Sequence, residues 1–113
     1  MSLGQWTFLS NHGHVLVVLA RDPDARMRDV AMSVGITERA VQEIVRHLVD
    51  QGYLHRTKVG RRNRYDVVRG AHFRHELESR VTLGEFLDMV VPLTHESVPR
   101  AGRGGSGRGR LAD

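Results

Sequence analysis

Apolar residues recur at helical spacing through the first half of the chain and at alternating spacing just past its middle. Within "HVLVVLAR", Val15, Leu16, Leu19 and Ala20 make a stripe that predicts a helix, although the valines would also suit a strand. Ser10 or Asn11 stands where its N-cap belongs, and Asp22-Pro23-Asp24 ends it, because Pro fixes φ and drives its predecessor out of the helical region. Met27, Val30, Ala31 and Val34 then mark a short amphipathic helix. Ile36, Ala40, Val41, Ile44, Val45, Leu48 and Val49 mark one face of a longer one over about 37–50. Thr37 sits at its N-cap position, Glu38 in its first turn, where the helix dipole favours an acid, and Gly52 just past its end. Gly35 lies between the two stripes. A glycine inside one continuous helix would cost about 1 kcal/mol relative to alanine. Each stripe is complete by itself, so the pattern predicts a turn at Gly35.

After Gly52 the period changes. "YLHRTKV" and "RYDVV" alternate, and the polar run "GRRN" joins them, which predicts a β-hairpin. "HFRHELESRV" shows no clear period. Further on, Thr82 and Glu85 match a capping box, and Leu83, Phe86, Leu87, Val90 and Val91 follow at helical spacing, so a helix is expected at about 83–91, ended by Pro92. Its stripe can pack on its own domain or pair across a two-fold axis. "RAGRGGSGRGR" has almost nothing to bury and is expected to be disordered. Four segments result: an N-terminal stretch 1–10, whose first three residues read as a cloning scar; a domain at 11–70; a segment at 71–95 with a possible dimerisation role; and a tail at 96–113.

Charge sharpens the picture. The chain of 113 residues carries a net +4, but unevenly. Residues 1–51 are net −1, residues 52–75 net +6, residues 76–99 net −4 and residues 100–113 net +3. Basic charge thus concentrates on the expected hairpin and in the tail, the footprint of a polyanion binder, with a merely solvated basic surface as the alternative. There is no Cys, which excludes disulfides, thiolate metal sites and Cys nucleophiles, and fits a reducing cytoplasm. The longest apolar run, Val15 to Ala20, is too short to span a bilayer, so no membrane partner is expected. No carboxylate pair at helical spacing in an apolar setting and no phosphate-binding loop point to an enzyme.

The order helix, short helix, glycine turn, longer helix, basic hairpin resembles the winged helix-turn-helix domain of bacterial transcriptional regulators, in the neighbourhood of the ArsR and MarR families. The resemblance covers about Val15 to Val68. It is carried by Ala31, Gly35, Val41 and Ile44, the small, glycine and apolar positions of the motif, and by "HLVDQGYL" at the join to the wing. The metal-binding Cys motif of many ArsR relatives is absent, little room exists for the long dimerisation helices of MarR relatives, and Arg26 or Met27 takes the usual capping position of the motif's first helix. The fold implied is mainly α with a small β-hairpin wing: a three-helix core plus a C-terminal helix.

The function implied is sequence-specific binding of double-stranded DNA, usually as a homodimer. On the second helix Thr37, Glu38, Arg39, Gln42, Glu43, Arg46 and His47 are left over from the core. Arg39 suits bidentate contact with guanine, Gln42 with adenine, and Glu38 could accept from cytosine. Thr37 either caps the helix or touches phosphate. On the wing, Arg61, Arg62 and Arg64 can follow the backbone or enter a narrow minor groove, and Lys58 and Arg56 can contact phosphate. The alternatives are a solvated helix face and arginines that merely keep a sheet edge soluble. A winged-helix module for protein or RNA is the competing function. The tail either adds nonspecific attraction to nucleic acid or does nothing. His12-x-His14 and His72-x-x-His75 with Glu76 have spacings that zinc sites use, but no third ligand is fixed, so no metal or other cofactor is expected. The sequence names no effector ligand.

Overall fold

Ser10 opens the first helix as expected. Its hydroxyl accepts from the Gly13 amide, and α1 runs Asn11–Arg21 with Val15, Leu16 and Leu19 buried. A computed structural model describes residues 6–91. The expected tail, Pro92 and the start of the N-terminal stretch lie outside the described residues. His12 and His14 sit in the first turns of α1.

The second helix, α2, spans Met27–Val34, and Arg26 at its N-cap supplies no side-chain cap. At its far end the chain breaks at Gly35, which takes φ 90. The amides of Gly35 and Ile36 both donate to the Ala31 carbonyl, at 2.8 and 3.1 Å. That carbonyl is the joint of the helix-turn-helix. Nothing within 4 Å would meet a Cβ on Gly35, so a side chain there is opposed by backbone conformation alone. Gly35→Ala is therefore expected to lower stability by about 1–2 kcal/mol, measured by urea denaturation, without loss of fold.

Thr37 starts the third helix by accepting from the Ala40 amide at 3.0 Å, and α3 runs Glu38–Asp50. Val41, Ile44, Val45 and Leu48 are its buried residues. Its exit uses both bonds of a Schellman motif, Gly52 amide to Val49 carbonyl and Tyr53 amide to Leu48 carbonyl, with Gly52 at φ 84. The chain then enters an antiparallel hairpin, β1 at Leu54–Val59 and β2 at Arg62–Val67, registered from Leu54 opposite Val67 to Val59 opposite Arg62. The expected loop "GRRN" is twice too long. Only Gly60 and Arg61 lie between the strands, and Gly60 at φ 64 gives the left-handed start that a two-residue hairpin loop needs. Arg62 and Asn63 belong to β2.

Beyond the hairpin, the amides of Leu83 and Gly84 donate to the carbonyls of Ala71 and Arg69, fixing the start of a fourth helix. This helix, α4, spans Leu83–Val90 behind the full Thr82–Glu85 capping box, one residue shorter than expected, with Val91 as its C-cap. Leu83 and Leu87 are buried, and Phe86 meets Phe73 edge to face at 5.5 Å. The stripe is thus spent largely within its own domain. Residues 72–81 are irregular, with an isolated bridge between His72 and Thr82. The core gathers residues from α1, α2 and α3, closed by Leu54 and Tyr65 of the hairpin and Leu83 of α4. Three helices, the Gly35 turn and the hairpin define a winged helix-turn-helix fold with an added C-terminal helix.

Candidate nucleic-acid interface

With Val41, Ile44, Val45 and Leu48 turned inward, the opposite side of α3 is left in solvent. Glu38, Arg39, Gln42, Glu43, Arg46 and His47 are all exposed. Arg39, Gln42 and Arg46 fall at i, i+3 and i+7, so they line one stripe along the helix. Among the described residues none of these three is held by a hydrogen bond or ion pair. Thr37 is exposed, but its hydroxyl is already engaged as the cap acceptor of α3. Its role is to fix where the stripe begins.

The wing is organised differently from what its composition suggested. The turn after α1 docks against β2 through the Tyr65 amide, which donates to the Pro23 carbonyl at 3.0 Å. Arg62 donates to the Asp24 carbonyl at 2.5 Å. Arg64 pairs with the Asp24 carboxylate at 2.9 Å and with Asp66 at 3.2 Å. The hydrogen bond that Arg64 donates to Asp66 first, and then the Asp66 charge, raise the pKa of the Arg64 guanidinium further above its usual value. These pairs are solvent-exposed and contribute little stability, yet they direct both arginines toward the turn. Arg61, at the loop itself, and Lys58 and Arg56 on β1 are exposed and make no such bonds among the described residues. The structure therefore brings Arg39, Gln42 and Arg46 onto one face, keeps Lys58 and Arg61 free on the hairpin, and ties Arg62 and Arg64 back to Asp24. Sequence reading missed Asp24, because nothing local marks a partner some 40 residues away from Arg64.

A second polar cluster lies beside the α3 face. His12 Nε2 and His47 Nδ1 are 3.1 Å apart, their rings edge to face, at an open groove also lined by Glu43, Arg46 and Asp50. Burial first, and the neighbouring His47 second, lower the His12 pKa below its ordinary value. The two candidate metal pairs read from the sequence stay apart from each other in role: His14 bonds Asn11, while His72 bonds the Ser79 carbonyl and His75 faces Glu78. Among the described residues no group of three or more ligating side chains is assembled for a metal. No described helix is long and apolar enough to cross a membrane.

The chain is thus a winged-helix domain with an exposed, uncommitted polar face on the second helix of its helix-turn-helix, flanked by a basic hairpin. No protein-family model matches the chain, and no curated protein matches it significantly. Among solved structures it is similar to the zinc-dependent MarR family transcriptional regulator AdcR in its Zn(II)-bound state, with 20% sequence identity and a TM-score of 0.43. The match covers 55% of this chain and 44% of that one, so the chain spans less than half the length of that regulator.

Proposed function

We propose that the chain is a sequence-specific, double-stranded-DNA-binding transcriptional regulator of the ArsR/MarR-like kind that acts in the cytoplasm as a homodimer. The observation that carries this reading is the stripe Arg39–Gln42–Arg46. It is exposed, free of internal partners, and projected from a helix whose other side is core. In this role α3 lies in the major groove, where Arg39 reads guanine, Gln42 reads adenine and Glu38 accepts from cytosine. Arg46 lies a turn further along, at the height of the backbone. Lys58 and Arg61 contact phosphate from the wing, with Arg61 best placed to enter a narrow minor groove. Arg62 and Arg64 act mainly by holding the wing against the Asp24 turn. A domain with so few base-reading side chains gains specificity by binding two half-sites, which favours the dimer.

Selection of bound duplexes from a random library, repeated across salt concentrations, tests this reading. Enrichment of two-fold symmetric sites is expected. With about three phosphates neutralised per protomer, by Arg46, Lys58 and Arg61, the log–log salt slope should be roughly −2.7 for each bound protomer. Absence of any enriched sequence, with binding to RNA or to a protein instead, would replace this reading by that of a winged-helix module.

A further inference from the structure

We propose that His12 and His47 form a two-imidazole chelate for a borderline divalent cation of the Zn²⁺ class, linking the first turn of α1 to the last turns of α3. The two facing nitrogens come from different helices and lie 3.1 Å apart. Two imidazole nitrogens, each about 2.0–2.1 Å from one zinc ion at the tetrahedral angle, stand roughly 3.3–3.4 Å from each other. The pair comes within a few tenths of an ångström of that bite, a gap that rotation of two exposed side chains closes. Glu43 and Asp50, four residues before and three after His47, line the same groove. They offset the unfavourable potential of the α1 N-terminus and of Arg46 toward a cation. Among the described residues no third side chain is assembled at the site, so water fills the remaining positions. Metal ligation requires unprotonated rings. In the absence of metal the same two nitrogens share one hydrogen. On binding, the ring that held the shared hydrogen passes to the tautomer protonated on its outer nitrogen, so both facing nitrogens are free to ligate and the neutral pair releases no net proton.

The site is independent of the DNA-binding reading, and its test uses no DNA. Titration of the full chain with zinc chloride at neutral pH, followed by calorimetry, should show one site per chain. Loss even of an outer-shell partner weakens metal sites by about 10–100-fold, so His12→Ala and His47→Ala should each weaken binding by at least that range. His14→Ala and His75→Ala should leave it unchanged. In the unmutated chain, the ring resonances of His12 and His47 should shift together as zinc is added, while those of the other described histidines stay put. Equal affinity in all four variants would overturn the proposal. So would ring resonances that respond to lowered pH but not to zinc, since the pair would then be a shared-proton contact only.

Discussion

Leu19→Ala is expected to destabilise the domain by about 2–5 kcal/mol, the largest effect of any substitution considered for this chain. Leu19 is fully buried and is the largest side chain with no residual exposure. It belongs to the core cluster that also holds Val30 and Ala31 of α2 and Val41, Ile44 and Val45 of α3. Those residues are held by two further helix backbones, which limits how far they can collapse into the vacated volume. The cost is therefore lost burial plus a cavity. For a domain of this size each kcal/mol lowers the melting temperature by about 4–8 °C, so the variant should melt far below the parent. Met89→Ala is the control: its side chain is 86% exposed, and a change within about 0.5 kcal/mol is expected. Urea denaturation of both variants checks the pair. A Leu19→Ala loss no larger than the control's would mean that α1 does not pack where the core places it.

That core was largely readable from the sequence, and the reason is periodicity. Val15, Leu16 and Leu19, then Val30 and Ala31, then Val41, Ile44, Val45 and Leu48 are spaced by the helical repeat, and all are buried. Gly35 was readable because two complete stripes flank it. Thr37 and Thr82 were readable because caps are local chemistry: each hydroxyl meets an amide three residues on. The hairpin ends were harder. Arg62 and Asn63 are as exposed as loop residues, so polarity alone assigned them to the loop, whereas the loop is only Gly60 and Arg61, with Gly60 in the left-handed region. What no local signal carries is pairing between distant segments. The link from Arg64 to Asp24 and the meeting of His12 with His47 arise only once α1, α3 and the hairpin have packed. The same limit applies to function. The exposed face of α3 follows from its own periodicity, but which wing cations remain free depends on the Asp24 turn.

The second large expected effect separates reading from holding. Arg39→Ala should cost about 1–3 kcal/mol on the selected duplex and relax preference at one base pair, because a bidentate contact is lost there and nowhere else. The substitution removes no internal bond, since Arg39 is exposed and unpaired among the described residues. Alanine is also a good helix former, so α3 should keep its fold and stability. Arg61→Ala removes a cation at the two-residue turn of the wing. It should weaken binding to selected and scrambled duplexes alike and reduce the steepness of the salt dependence by about one unit. Arg64→Ala is different again: its guanidinium already satisfies Asp24 and Asp66, so its loss should act through the wing's attachment rather than through a phosphate. Binding measured on matched and scrambled duplexes at two salt concentrations distinguishes the three. If Arg39→Ala and Arg61→Ala lower affinity by the same factor on every sequence, α3 does not read bases, and its exposed stripe is a general basic and polar surface.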